Sequence, residues 1–302
     1  MRPYLLFVSG ITGIAGMSLV PDVPAYAVLV LGIVFFLAYG FGQALTDCFQ
    51  TDTDALSASY RPLVQGTVRA RDVFAVSLVG LTGCAAVLVV FHPAALVPAA
   101  LTVIGLATYT WFKRRWWGGP WYNAWIVSLV VLLGYLAAGG AAGAPDRVTP
   151  SLVGVMLAAL AAYANFVLTG YYKDIEADRA TGYRTLPVVF GRATSAWVSD
   201  VLALLAFGFA GVVLASAARA GLVAAAPFVA GGAVAAVVAQ IRLHRVVNDR
   251  EAHRAIAPVV HAYILLLAGL AAAQRPLWLP ALALVYLAFV GVLARRPMAE
   301  QI

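Results

Sequence analysis

The sequence predicts an all-α fold, a polytopic bundle of nine or ten transmembrane helices, and three observations predict it. Of the 302 residues, 63% are hydrophobic and only 11% are charged, a composition outside the range of water-soluble domains. The apolar residues fall in long runs and not in an amphipathic stripe, and about 18 of them suffice to cross the roughly 30 Å hydrocarbon core as a helix. The basic residues are segregated. With the N-terminus inside, every Lys and Arg except Arg147, Arg219 and Arg275 falls in segments on one side, and basic segments stay cytoplasmic.

Ten runs qualify in order: Tyr4 to Val20, Ala25 to Leu45, Val73 to Phe91, Ala95 to Trp111, Ala124 to Gly143, Leu152 to Gly170, Ala196 to Ala218, Gly221 to Ile241, Pro258 to Ala273 and Leu277 to Leu293. The last two are short and are separated only by Gln274-Arg275-Pro276. They read either as two spans or as one span and a re-entrant piece. The first run can serve as its own insertion signal. An even number of spans puts both termini inside, in agreement with Arg2 at one end and Arg295 and Arg296 at the other. The formal charge of +7 therefore reports mostly topology, with an anionic ligand as a second source, and nucleic-acid binding is disfavoured as its reason. Cys48 and Cys84 are too few for a disulfide framework or a metal cluster. With no linker or low-complexity tail, residues 1–302 read as one membrane domain surrounded by lipids.

The long connections all face the cytoplasm, near residues 46–72, 112–123, 171–194 and 242–257. Function concentrates on such loops when a rigid scaffold holds them. Two of them resemble each other. Thr46-Asp47-Cys48-Phe49-Gln50-Thr51-Asp52-Thr53-Asp54 leads to Tyr60-Arg61-Pro62, and Tyr171-Tyr172-Lys173-Asp174-Ile175-Glu176-Ala177-Asp178 leads to Arg184-Thr185-Leu186-Pro187. They lie four spans apart on one face. That predicts two four-helix halves around a central cavity.

Six of the thirteen acidic residues sit in these two loops. Asp174 and Asp178, four apart, share a helix face, and so do Asp47 and Asp54, seven apart. Like charges side by side need a cation. Oxygen-rich clusters with an open side suit Mg²⁺, which keeps waters and is completed by substrate phosphate. One acidic loop alone reads as surface pairing; two matching loops in an acid-poor chain read as a cation site. A third element, Tyr109-Thr110-Trp111-Phe112-Lys113-Arg114-Arg115, reads alone as a basic interfacial stop with an aromatic anchor. Beside the acidic loops, Lys113 and Arg114 become candidates to hold phosphate oxygens. Asn123, Tyr163 and Asn165 could line an acceptor pocket. His261 reads as helix packing, and Asp200 as an interfacial cap or a cavity residue.

These elements resemble the UbiA superfamily of intramembrane prenyltransferases. Its first motif, Asn-Asp-x-x-Asp-x-x-x-Asp before an Arg-Pro segment, maps onto Thr46, Asp47, Gln50 and Asp54 once Arg61-Pro62 is placed on that segment. Thr46 and Gln50 depart from it, with Asp52 an additional carboxylate nearby. The second motif is intact as Asp174, Asp178 and Gly182-Tyr183-Arg184-Thr185-Leu186-Pro187, and the Tyr-x-x-x-Lys motif as Tyr109 and Lys113. The resemblance implies Mg²⁺ held by Asp54, Asp174 and Asp178 with Asp47 or Asp52 assisting. It also implies an isoprenyl diphosphate held by Lys113, Arg61 and Lys173, with Thr46, Gln50, Tyr109 and Arg114 around it, and transfer of the prenyl group to a small, lipophilic or aromatic acceptor. Terpene cyclisation on the same scaffold is the alternative that Gln50 keeps open. Transport is disfavoured, because transporters place polar residues near the midplane and these acids cluster at one surface.

Overall fold

The structure, a computed structural model described here for residues 3–295, is an all-helical bundle without strands among those residues. Helix α1 is Leu6–Met17, continuing a short turn at Pro3–Leu5. Then follow α2 (Ala25–Asp47), the short α3 (Thr51–Ser57), α4 (Ala70–Phe91), α5 (Leu96–Arg115), α6 (Gly119–Ala142), α7 (Pro150–Gly170) and the short α8 (Ile175–Ala180). The chain continues through α9 (Leu186–Ala215), α10 (Arg219–Leu243), α11 (His253–Gln274) and α12 (Leu279–Ala294).

Nine helices among the described residues are long and apolar enough to cross a membrane. The first predicted span is shorter than expected, because its apolar helix covers only Pro3–Met17. It needs no lipid-facing length, since it packs against α2, α6 and α11 inside the bundle. Small residues let it approach: a Cβ on Gly16 would meet the Val131 carbonyl, and one on Gly134 would meet that of Gly13. The last two predicted spans are the separate helices α11 and α12, so the re-entrant alternative falls. Arg2 and Arg296 lie outside the described residues.

Most of α6, α7 and α11 is buried, whereas a third or less of each peripheral long helix is. The exposed side chains of those helices are themselves apolar, as at Leu29, Val79 and Leu204, as a lipid-facing surface requires. The predicted halves are visible in the packing. Helix α1 packs on α2 and α2 on α4; in the same way α6 packs on α7 and α7 on α9. The closing pair α5 and α6 is matched by α10 and α11.

Side-chain contacts tie the connections together at each end of the bundle. At one end, Thr53 bonds Thr181, Arg114 pairs with Asp52, and Arg192 pairs with Asp249. These contacts bring the loops near 46–69, 116–118, 171–185 and 244–252 together. At the other end, Arg275 donates to the Ser18 carbonyl and His92 meets Asp146. The predicted loop at 112–123 is mostly helix, because α5 runs to Arg115 and α6 begins at Gly119.

Helix α9 breaks at Gly191, where φ is 81° and ψ is 168°, a region reserved for glycine. The break turns Arg192 so that its carbonyl accepts from Tyr172 Oη at 2.5 Å and its guanidinium reaches Asp249 at 2.5 Å. Gly191→Ala is expected to cost about 1–3 kcal/mol. A fall in the midpoint of thermal unfolding in detergent checks it, and an unchanged midpoint would contradict the strained geometry.

Candidate active site

The first acidic loop forms because α2 stops at Asp47 and restarts at Thr51, with Gln50 as the N-terminal cap of α3. Asp47 and Asp54 therefore lie on two helices and not on one face of a single helix, which corrects the seven-residue reading. Arg61 reunites them. It reaches Asp47 Oδ1 at 3.2 Å and also pairs with Asp54. Asp54 is buried, while Asp52 turns outward to Arg114 at 2.7 Å and to Tyr183 Oη at 3.3 Å.

The second loop repeats the device. Asp174 caps α8, and the Asp178 amide donates to the Asp174 carbonyl at 2.7 Å. Helix α8 ends in a Schellman turn: Tyr183 N–H bonds the Asp178 carbonyl at 2.8 Å and Gly182 N–H bonds that of Arg179 at 3.3 Å. Gly182 takes the left-handed φ of 77° that this turn needs. The turn tucks Tyr183 inward and leaves Asp178 fully buried.

Lys113 enters between the two loops from the last turn of α5. It is 3% exposed. Its Nζ lies 3.3 Å from Asp178 Oδ1 and donates to Gln50 Oε1 at 3.2 Å. It also stands over the rings of Tyr171 and Tyr183, at 5.1 and 5.0 Å from their centroids. Tyr109, one turn earlier, bonds Tyr171 hydroxyl to hydroxyl at 2.7 Å. Arg114 stacks on Tyr183 at 4.5 Å, and its carbonyl accepts from the Arg184 amide at 3.1 Å. That bond ties the end of α5 to the second loop.

A cavity of about 210 Å³ opens beside Lys113. Thr46, Asp47, Gln50, Asp54 and Arg61 line it from the first loop, and Lys173 and Asp174 from the second. Tyr109, Lys113 and Asn123 complete its polar wall, and Leu81, Leu106, Ile126, Val130 and Phe166 its apolar part. Asp54 and Asp174, far apart in sequence, thus face one space. Asp52, Asp178, Arg114 and Asn165 are not among its lining residues. Asp178 stands behind Lys113. Asn165 is held by Ser199 between α7 and α9, a packing arrangement. Asp200 pairs with His244 at 2.8 Å, and His261 bonds Tyr286 at 2.9 Å between α11 and α12. Sequence reasoning missed Tyr39, Tyr171 and Tyr183. For Tyr171 and Tyr183, tyrosines close to acidic loop residues were the available signal, but an interfacial aromatic belt gives the same pattern; Tyr39, inside α2, carried no such signal.

Burial pushes the Asp178 carboxyl up to about 6, with Lys113 pulling it down and Asp174 adding to the rise. Burial also works upward on Asp174, but Lys173, Lys113, a hydrogen bond from Ser57 and Arg61 outweigh it and hold that carboxyl below its usual range. Despite Lys113, neither Asp178 oxygen has a well-oriented hydrogen-bond donor. A buried carboxylate with spare acceptor capacity next to a carboxylate-lined cavity fits a hard, oxygen-seeking cation. Among the described residues no three acidic side chains converge enough to enclose an ion by themselves. The fit is therefore to an ion that keeps waters and is completed by phosphate, as Mg²⁺ does.

The sequence profile of the UbiA prenyltransferase family matches residues 6–257. Among curated proteins, the digeranylgeranylglyceryl phosphate synthase of Halobacterium salinarum is 33% identical over 55% of this chain and 58% of its own length. That of Natronomonas pharaonis is 34% identical over 62% and 64% respectively. The chloroplastic chlorophyll synthase of Arabidopsis thaliana is 28% identical over 67% and 52%. The chain thus spans between about half and two thirds of these relatives. Among solved structures, an apo UbiA homologue from Aeropyrum pernix K1 superposes with a TM-score of 0.71 at 20% identity, covering 89% of this chain and 97% of that one. A UbiA homologue from Archaeoglobus fulgidus bound to DMAPP and Mg²⁺ gives 0.59 at 15% identity, covering 96% and 95%. At these identities the superpositions establish the fold.

Proposed function

The chain belongs to the UbiA prenyltransferase family, and from that membership we propose that it is an Mg²⁺-dependent intramembrane enzyme that transfers the prenyl group of an allylic isoprenoid diphosphate to a small lipophilic or aromatic acceptor. One observation carries this reading: Asp54 and Asp174, from the two repeated helix ends, line one cavity with Lys113 between their loops. A relative bound to DMAPP and Mg²⁺ has the same fold, which supports it.

Asp54, Asp174 and Asp178, with Asp47 beside them, would hold the cation. Bound there, Mg²⁺ supplies Lewis-acid neutralisation of the diphosphate leaving group. Lys113, Arg61 and Lys173 bind the diphosphate oxygens and take up charge as the carbon–oxygen bond breaks. Asp52, engaged by Arg114 and Tyr183, is assigned to orienting Arg114 and not to the cation. The ring faces of Tyr109 and Tyr163 steady the allylic cation, and the apolar wall holds the isoprenoid and keeps water away. Asn123 on the cavity wall is assigned to the acceptor. Basic residues concentrate at this end of the bundle, so we place it at the cytoplasmic leaflet, within one domain.

The test incubates the purified full chain with geranyl diphosphate and Mg²⁺, with and without an aromatic acceptor. Diphosphate that stays intact until the acceptor arrives, followed by a prenylated product, is expected. A hydrocarbon or cyclic alcohol formed without acceptor means cyclisation instead. Diphosphate that remains intact in both arms, with every acceptor offered, refutes the enzyme assignment.

A further inference from the structure

The two acidic helix ends share one backbone device, and at its cap position their side chains differ in charge. Gln50 caps α3 with φ −121° and ψ 18°; Asp174 caps α8 with φ −117° and ψ 10°. The Gln50 amide donates to the carbonyl three residues back, as does that of Asp174. Asp54 N–H donates to the Gln50 carbonyl at 2.9 Å, and Asp178 N–H to the Asp174 carbonyl at 2.7 Å. Gln50 is thus the structural counterpart of Asp174, and Asp54 of Asp178. A neutral amide stands where the other half has a carboxylate.

The consequences are electrostatic. On the α3 side, both Asp47 and Asp54 are engaged by Arg61, and the Gln50 side chain accepts from Lys113 at 3.2 Å. On the α8 side, Asp174 lines the cavity, and the fully buried Asp178 pairs with Lys113 at 3.3 Å but has no well-oriented donor on either oxygen. Around the site, Asp47, Asp54, Asp174 and Asp178 face Arg61, Lys113 and Lys173, which leaves one net negative charge. A carboxylate at position 50 would double it.

We propose that Gln50 is a specificity-determining residue that sets the number of divalent cations in the site at one. That one cation is shared between Asp54 and the carboxylates of the α8 end. The α3 end, neutralised by Arg61 and tied to Lys113 through the Gln50 amide, meets the diphosphate with cationic side chains in place of a second ion. This inference rests on the prenyl-transfer reading.

The experiment counts Mn²⁺, a divalent probe visible by electron paramagnetic resonance, bound to the full chain in detergent with a non-ionising thiolo analogue of geranyl diphosphate. One Mn²⁺ per wild-type chain is expected. Gln50→Glu adds charge at constant size and is expected to recruit a second Mn²⁺, or to tighten binding roughly tenfold. Gln50→Met, equally similar in size but without charge, is expected to stay at one. Two equivalent Mn²⁺ in the wild type, or identical behaviour of the Glu and Met variants, overturns the inference alone. A wild-type chain that binds neither Mn²⁺ nor the analogue overturns the prenyl-transfer reading with it.

Discussion

Lys113→Met is expected to lower kcat/KM by roughly 10²–10³, the usual cost of removing a charge-stabilising donor from a sheltered site. It is also expected to destabilise the bundle by about 3–5 kcal/mol, because breaking a buried ion pair from one side strands the other charge. Lys113 is 3% exposed and its partner Asp178 is fully buried, so water cannot replace the lost contact. Adding Asp178→Asn removes the stranded carboxylate. The double variant should regain most of its thermal stability while activity stays low.

The single variant also carries a pH signature. Burial already pushes Asp178 up to about 6 with Lys113 and Asp174 nearby, and losing the lysine removes an influence that lowers it. A carboxyl whose folded-state pKa is raised favours the folded form while protonated. Its stability contribution is lost as pH rises through the folded value. The destabilisation of Lys113→Met should therefore be small near pH 5 and full near pH 8. Thermal unfolding in detergent at the two pH values, beside initial rates of prenyl transfer, measures both effects. A flat pH response would remove Asp178 as the stranded partner.

Asp174→Asn is expected to act on chemistry with little effect on the fold. Its side chain is half-buried and lines the cavity, where Lys173, Lys113, Ser57 and Arg61 keep it ionised. The amide keeps the size and the cap position but not the charge. Activity should fall by at least about 10²-fold, the loss expected when a charged group that stabilises the transition state disappears. Mn²⁺ affinity should fall with it, while the thermal midpoint stays close to that of the wild type. A variant with full activity and reduced stability would make Asp174 a structural cap.

The contrast between these residues shows where sequence reading runs out. Asp174 and Asp178 look equivalent as an i, i+4 pair. Only the Schellman turn at Gly182 and the arrival of Lys113 from α5 separate a cavity-facing carboxylate from a buried one. Asp47 and Asp54 were legible as an acidic pair. The helix break at Gln50 and the return of Arg61 decide that they meet across two helices. Asp52 looks equivalent to them in one dimension, yet α3 turns it toward Arg114.

By itself the sequence determined the solvent and the repeat, and it set an expectation for the orientation. Long apolar runs admit no other environment than lipid, basic loops follow a rule of charge and not of contact, and two similar acidic segments four spans apart imply two similar halves. It also named the acidic residues that line the cavity, Asp47, Asp54 and Asp174, because acids are scarce enough here for their clustering to be informative. The tertiary structure alone decided which side chains share a space. It decided that the first apolar helix is a short buried wedge, that Asn165 serves packing, and that Gln50 mirrors Asp174. Each of those outcomes depends on distances between helices far apart in the chain, which packing sets and which no local pattern of residues encodes.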